Sequence, residues 1–138
     1  MEKVLVDTDV ILDFFFDRKP FSDDSAEILS QCENGKIEGF VTSIMLSNIY
    51  YLLRKTATHD KVIEKLKILL KIIDVIITDK KAVEAALNSE FKDFEDALQN
   101  FSAQNSNEIK VIITRNTKDY KTSRLSVMNP ETYLKALQ

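Results

Sequence analysis

Four short segments of this chain carry side chains that could do chemistry together. Asp7-Thr8-Asp9 follows the apolar run Val4-Leu5-Val6, and Asn116-Thr117-Lys118-Asp119 follows the apolar run at 109–113. Asp93 and Asp96 open a helical stretch with i, i+3 spacing and so share one face. Asn48 stands in the middle of a strongly apolar segment, where a polar side chain needs a partner. Oxygen donors drawn from separate segments suit a hard divalent cation. Mg²⁺ or Mn²⁺ takes oxygen ligands, keeps waters, and often rests on one or two carboxylates plus a substrate phosphate. The cation neutralises carboxylates that would otherwise repel each other. It also lowers the pKa of a bound water, aims it at a phosphodiester and stabilises the leaving oxygen.

Each of these residues also has a plainer reading. Asp93 and Glu95 near a helix start complement the helix dipole. Asp9 is the expected N-cap of the first helix, with Asp7 as the alternative. Asp119 suits an ordinary turn, and backbone groups alone could satisfy Asn48.

The site requires elements that bring its segments together. Residues 4–6 read as a buried strand and 10–16 as a short apolar helix that Pro20 stops. Asp24 with Glu27 resembles a capping box for a helix ending at Asn34-Gly35. Residues 38–41 form a second strand. The helix over 44–54 is apolar nearly all round and is expected to be buried. Thr58 or Asp60 opens another helix, whose stripe is Val62, Leu66, Leu69 and Ile73. A strand over 74–78, a helix over 79–87, a helix from Asp93 to about residue 104 and a strand over 109–113 follow. Residues 127–128 form a last short strand. Asn129-Pro130 then caps and starts a closing helix. Strands alternating with helices predict an α/β fold with a parallel sheet. Sites in such sheets lie beyond the carboxyl ends of the strands, where Asp7 and Asn116 fall.

Composition removes several classes. The 138 residues suit one domain, 1–138, with enough apolar side chains for a core. With only Gly35 and Gly39, neither a dinucleotide fingerprint nor a P-loop can be built. A net charge of −3 lacks the broad basic footprint of a protein that coats nucleic acid, though a local basic rim remains open. The single Cys32 makes no internal disulfide and reads as packing, which suits a reducing, cytoplasmic setting. No stretch approaches the ~20 apolar residues of a membrane span, and the N-terminus is too short and acidic for a signal peptide. His59 reads as a solvated loop residue, Phe14-Phe15-Phe16 as core plus a subunit contact, and Tyr50-Tyr51 as core.

Taken in order, Val-Leu-Val-Asp-Thr-Asp-Val at 4–10, Thr-Ser-Ile-Met-Leu-Ser-Asn-Ile-Tyr-Tyr at 42–51, Asp-Phe-Glu-Asp-Ala-Leu-Gln at 93–99 and Ile-Ile-Thr-Arg-Asn-Thr-Lys-Asp-Tyr at 112–120 resemble the PIN-domain family, in particular its VapC-type ribonuclease toxins of bacterial toxin–antitoxin pairs. The resemblance implies a parallel sheet flanked by helices and an acidic pocket for Mg²⁺ or Mn²⁺. It also implies RNA cleavage by a metal-activated water, an antitoxin partner and a homodimer. Carried over by residue, Asp7, Asp96 and Asp119 are the expected catalytic and metal-holding acids. Asn48, Asp93 and Asn116 support them, and Arg54, Lys55, Arg115 and Lys118 position the RNA backbone. Asn48 departs from the family, which usually has Glu there, and Asp93 is the expected substitute. Two other readings stand beside this one. One is a catalytically weakened PIN-like module that binds RNA or antitoxin. The other is a haloacid-dehalogenase-like phosphotransferase with Asp7 as nucleophile.

Overall fold

In the computed structural model, which describes residues 1–106 and 108–138, Val4, Leu5 and Val6 are fully buried and form the inner end of β1 (Glu2–Val6). Burial on both faces is the reason the run does not alternate with polar residues. β2 (Ile37–Thr42), β3 (Ile73–Ile76), β4 (Ile109–Ile113) and β5 (Ser126–Met128) complete a five-stranded sheet in the order β3-β2-β1-β4-β5. Every pairing is parallel. Helices α1 (Thr8–Phe15), α2 (Ser22–Glu33), α3 (Ser43–Leu53), α4 (His59–Leu69), α5 (Lys80–Leu87), α6 (Phe94–Asn105) and α7 (Pro130–Ala136) flank it. The expected α/β architecture is therefore present.

Register decides what meets beyond the strand ends. Val6 pairs with Ile113, so the residues that follow, Asp7 and Thr114, emerge side by side. The main core joins β1 and β4 to Val10, Ile11, Ile28, Met45 and Ile49 from the helices. A smaller cluster of Ala86, Ala97 and Leu98 welds α5 to α6, with Ile44 of α3 packed against it. That second cluster fixes the helix carrying Asp96.

Several local expectations are corrected. Helix α3 is not buried all round: Met45, Ile49 and Leu53 face the core, whereas Tyr51 is 65% exposed. Asp24 caps nothing. Helix α2 begins earlier, at Ser22, because the preceding loop supplies its own acceptors: the Ser22 N–H donates to the Arg18 carbonyl at 2.7 Å and the Ser22 hydroxyl to Asp17 at 2.7 Å. Strand β3 starts at Ile73, since that residue pairs with Gly39. His59 is the first residue of α4, and its Nδ1 lies 2.9 Å from the Tyr50 hydroxyl. Cys32 is buried, as expected, and burial pushes its thiol up to about 11. Among the described residues no helix is long and apolar enough to cross a membrane.

Candidate active site

Asp7 caps α1. Its backbone is still extended (φ −68°, ψ 156°), and its Oδ1 accepts from the Thr8 N–H at 2.7 Å. Asp9, the cap expected from the sequence, already lies in the first turn, and the β1 to α1 transition decides between them. The other oxygen of Asp7 turns inward. Its Oδ2 accepts from the Thr114 hydroxyl at 2.8 Å and from the Tyr120 hydroxyl at 3.3 Å. Asp9 reaches back to the end of β4: its Oδ2 accepts from the Arg115 N–H at 3.0 Å and from Thr114 Oγ1 at 3.3 Å. Its Oδ1 is buried and without a hydrogen-bond partner among the described residues.

Asp96 arrives from a different element, α6. It lies in the first turn of α6, whose N-cap is Asp93: the Asp96 N–H donates to Asp93 Oδ1 at 3.0 Å. The Tyr120 hydroxyl sits 3.4 Å from Asp96 Oδ1 and 2.7 Å from Gln99 Oε1. One phenol, itself buried, therefore spans Asp7 and Asp96, which are 89 positions apart in the chain. A short 3-10 turn, Thr117–Tyr120, places it there.

This crowding has electrostatic consequences. Burial first, and then the charges of Asp9 and Asp96, push Asp7 up to about 7, against the pull of the Thr114 and Thr8 bonds. Asp96 is pushed up to about 6 by burial, with Asp93, Asp119 and Glu95 adding and the Tyr120 bond opposing. Asp9 is also raised, mainly by burial, with the Arg115 N–H opposing. Burial beside the same carboxylates raises the Tyr120 phenol.

The sequence candidates distribute as follows. Asp93, Asp96 and Asp119 line one cavity of about 420 Å³ together with Lys92, Lys118 and Lys121. Asn116 is exposed at the start of the turn, and its N–H donates to Thr114 Oγ1 at 3.0 Å. Asn48 donates through Nδ2 to Glu95 Oε2 at 2.8 Å, so its partner is a side chain of α6. Asp93, the expected substitute for the missing acid at 48, spends an oxygen as helix cap instead. Arg115 is turned into the protein. Its Nε and Nη2 donate to the fully buried Asp13 at 2.5 Å and 2.9 Å, and its guanidinium stacks 4.1 Å from the Phe21 ring centre. That fork is occupied and is not free to hold a phosphate. Arg54 donates to the Ala57 carbonyl at the C-terminal end of α3, and Lys55 lies over the Tyr51 ring. Neither lines the acidic cavity.

Thr114, Tyr120, Lys92 and Lys121 are not among the expected site residues, while Asp9 is expected as a helix cap and Glu95 as a complement to the helix dipole. Asp9 stands two residues from Asp7, a spacing that does not share a helix face, and only the capping turn brings both to Thr114. Tyr120 had one available signal, a polar ring beside Asp119.

Among the described residues, no three acidic, histidine or cysteine side chains are gathered closely enough to hold an ion as they stand. The donor chemistry nevertheless fits a hard cation. The groups are oxygens, burial and mutual repulsion oppose their charge, and Asp9 Oδ1 is a buried oxygen with nothing to bind.

The family profile described as PIN domain matches residues 3–118. Ribonuclease VapC1 of Aquifex aeolicus (strain VF5) is 28% identical over 137 residues, covering 96% of this chain and 93% of that protein. Two solved structures share the fold. The Rickettsia felis VapBC2 complex bound to a promoter DNA fragment superposes with a TM-score of 0.69 at 19% identity, over 92% of this chain and 98% of the other. A toxin–antitoxin complex from Klebsiella pneumoniae gives 0.68 at 22% identity, over 92% and 97%.

Proposed function

Since this chain belongs to the PIN-domain family, we propose that it is a Mg²⁺- or Mn²⁺-dependent endoribonuclease, the toxin of a toxin–antitoxin pair. The observation that carries the reading is the convergence of Asp7 and Asp96, 89 positions apart in the chain, on the Tyr120 hydroxyl. The similarity to Ribonuclease VapC1 supports the reaction class, and the toxin–antitoxin complexes among its structural relatives support an antitoxin partner. A cytoplasmic homodimer is part of the same proposal.

Asp7, Asp96 and Asp119 would hold the cation, with Asp9 as a further oxygen beside Asp7. A bound divalent ion would supply an activated water and charge neutralisation at the leaving oxygen. The protein's own residues do the rest. Thr114 and the Thr8 N–H hold the Asp7 carboxylate in one orientation. Asp93 orders the first turn of α6 and so fixes Asp96. Asn116, exposed at the start of the 3-10 turn, would orient water. Lys118, Lys92 and Lys121 ring the cavity and attract the phosphate backbone of a single strand. Arg115 serves the site indirectly, by anchoring to α1 the turn that carries Asn116 and Asp119.

Replacing Asp7 with Asn tests the reading. Asn is also a good N-cap, so circular dichroism should be unchanged while EDTA-sensitive RNA cleavage disappears. A D7N variant that cleaves as well as the parent overturns it. The neutral amide at Asn48 favours one second reading, a module that binds RNA or antitoxin without turnover. A parent chain that binds the antitoxin encoded beside it, yet neither binds Mn²⁺ nor cleaves RNA, would select it. Family membership displaces the phosphotransferase reading.

A further inference from the structure

Asp96, Asn100 and Gln104 recur at i, i+4 and i+8 on α6 and so share one face of the helix. Asp96 lines the acidic cavity. Asn100 and Gln104 line a second cavity, of about 340 Å³, whose centre on α6 is roughly 6 Å further along the helix axis. The two cavities adjoin, because Glu90, Phe91 and Thr122 line both. The second is built from different groups. Two of its walls are the rings of Phe91 and Phe101, edge to face with centres 5.9 Å apart. Both rings pack on the α5–α6 cluster, so this wall is preformed. Phe91 also meets the ring of Tyr120 at 5.8 Å, the tyrosine whose hydroxyl joins Asp7 and Asp96. Asn100 is only 1% exposed. Its Oδ1 accepts from the Ser123 hydroxyl at 2.5 Å, which fixes the amide plane, yet among the described residues its Nδ2 donates no hydrogen bond. A buried donor without a partner is costly until a ligand supplies an acceptor. Arg124, also on this cavity, is exposed and forms no ion pair among the described residues.

We propose that this second cavity is a base-recognition subsite, which takes one unpaired guanine of an RNA strand whose neighbouring phosphate lies in the acidic cavity. The inference rests on the ribonuclease reading above for its substrate and adds to it the residues that set sequence preference, Asn100, Arg124 and Glu90. The aromatic wall offers a surface for an unstacked base. The Asn100 amide and the Arg124 guanidinium are donors, suited to O6 and N7 of the base, and the Glu90 carboxylate is an acceptor, suited to N1–H and N2–H. Guanine alone among the four bases carries two adjacent N–H donors beside a carbonyl oxygen. Uracil has a single N–H between its two carbonyls. Adenine and cytosine present an amino donor where the buried amide requires an acceptor.

The test reads base preference rather than turnover. Fluorescence anisotropy in EDTA, where no divalent ion supports cleavage, measures binding of the full chain to labelled oligouridylate strands whose central residue is G, A, C or U. The parent should bind the G strand about tenfold more tightly than the others. R124A changes an exposed side chain, and N100A removes the buried donor; thermal unfolding shows whether N100A folds, and R124A decides alone if it does not. Each variant should bring the four strands to within about twofold of one another, whereas loss of a mere phosphate contact weakens all four alike and keeps the preference. Equal binding of the four strands by the parent, a preference for another base, or a G preference that survives R124A overturns the subsite and leaves the nuclease reading standing. Free GMP bound as tightly as the G strand also overturns it, because the cavity then serves a nucleotide and not a strand. A parent that prefers G but cleaves no RNA with Mn²⁺ keeps the subsite and overturns the nuclease reading.

Discussion

Asp7 combines two roles that a sequence presents as alternatives, helix cap and candidate ligand, because its two oxygens face different ways. Its protonation gives a measurable consequence. In the folded, metal-free chain Asp7 holds its proton up to about pH 7, against an ordinary value of 3.8. That proton binding stabilises the fold fully below about pH 4, and the contribution is lost as pH rises through 7. At roughly 1.4 kcal/mol per tenfold change in proton activity, the ceiling is on the order of 4 kcal/mol. In EDTA, D7N should therefore be more stable than the parent, by a margin that grows between pH 5 and pH 8. Urea denaturation at the two pH values checks this, and a constant margin would contradict it. Asp13 is the other residue with a large stake. It is fully buried and accepts from both nitrogens of the Arg115 fork, with Arg18 Nη1 at 3.3 Å. Asp13→Ala should cost about 3 kcal/mol in denaturant titration, near the low end for a broken buried pair because both arginines can reach water. The aspartate itself is plain in the sequence. Its burial is not, because Arg115, from the turn after β4, and Arg18, from the loop after α1, close over it in space.

Strands and helices are legible in the sequence where local rules act alone. Asn129 caps α7 with Pro130 behind it, Thr58 caps α4 and Asp79 caps α5, each through its own side chain. The failures came where a neighbouring element intervenes. Helix α3 looks uniformly apolar, but only Met45, Ile49 and Leu53 meet the core. Tertiary packing also makes Gly39 indispensable to β2. A Cβ there would stand 2.7 Å from Cys32 Sγ and 3.0 Å from Ile73 Cγ1, joining α2, β2 and β3 in one collision. Gly39→Ala should destabilise the chain by about 1–3 kcal/mol, as overpacking does, and Cys32→Ala in the same chain should return part of that loss. Thermal unfolding of the single and double variants decides the point.

At the scale of the whole molecule, charge is organised rather than abundant. The net charge is −3, yet three lysines ring the cavity that Asp93, Asp96 and Asp119 line. Affinity for single-stranded RNA should therefore depend only modestly on salt. Replacing Lys118 or Lys121 with Ala should weaken binding evenly across sequences and flatten the logarithmic salt slope by about 0.7 each, as measured by fluorescence anisotropy. Divalent ions should act on the same region from the opposite direction. Mn²⁺ should raise the melting temperature of the parent in proportion to its binding and leave that of D7N unmoved.

Local chemistry was enough to specify an alternating α/β chain, most of its caps and the acids at the ends of β1 and β4, because period, capping and turn preferences act over a few residues. The tertiary structure alone decided which acids meet. The register of Val6 on Ile113 places Asp7 beside Thr114, the 3-10 turn sends Tyr120 between Asp7 and Asp96, and α3 lies against α6 so that Asn48 holds Glu95. Those contacts join residues 24 to 113 positions apart. Their energies depend on distance and burial in space, which no local pattern along the chain encodes.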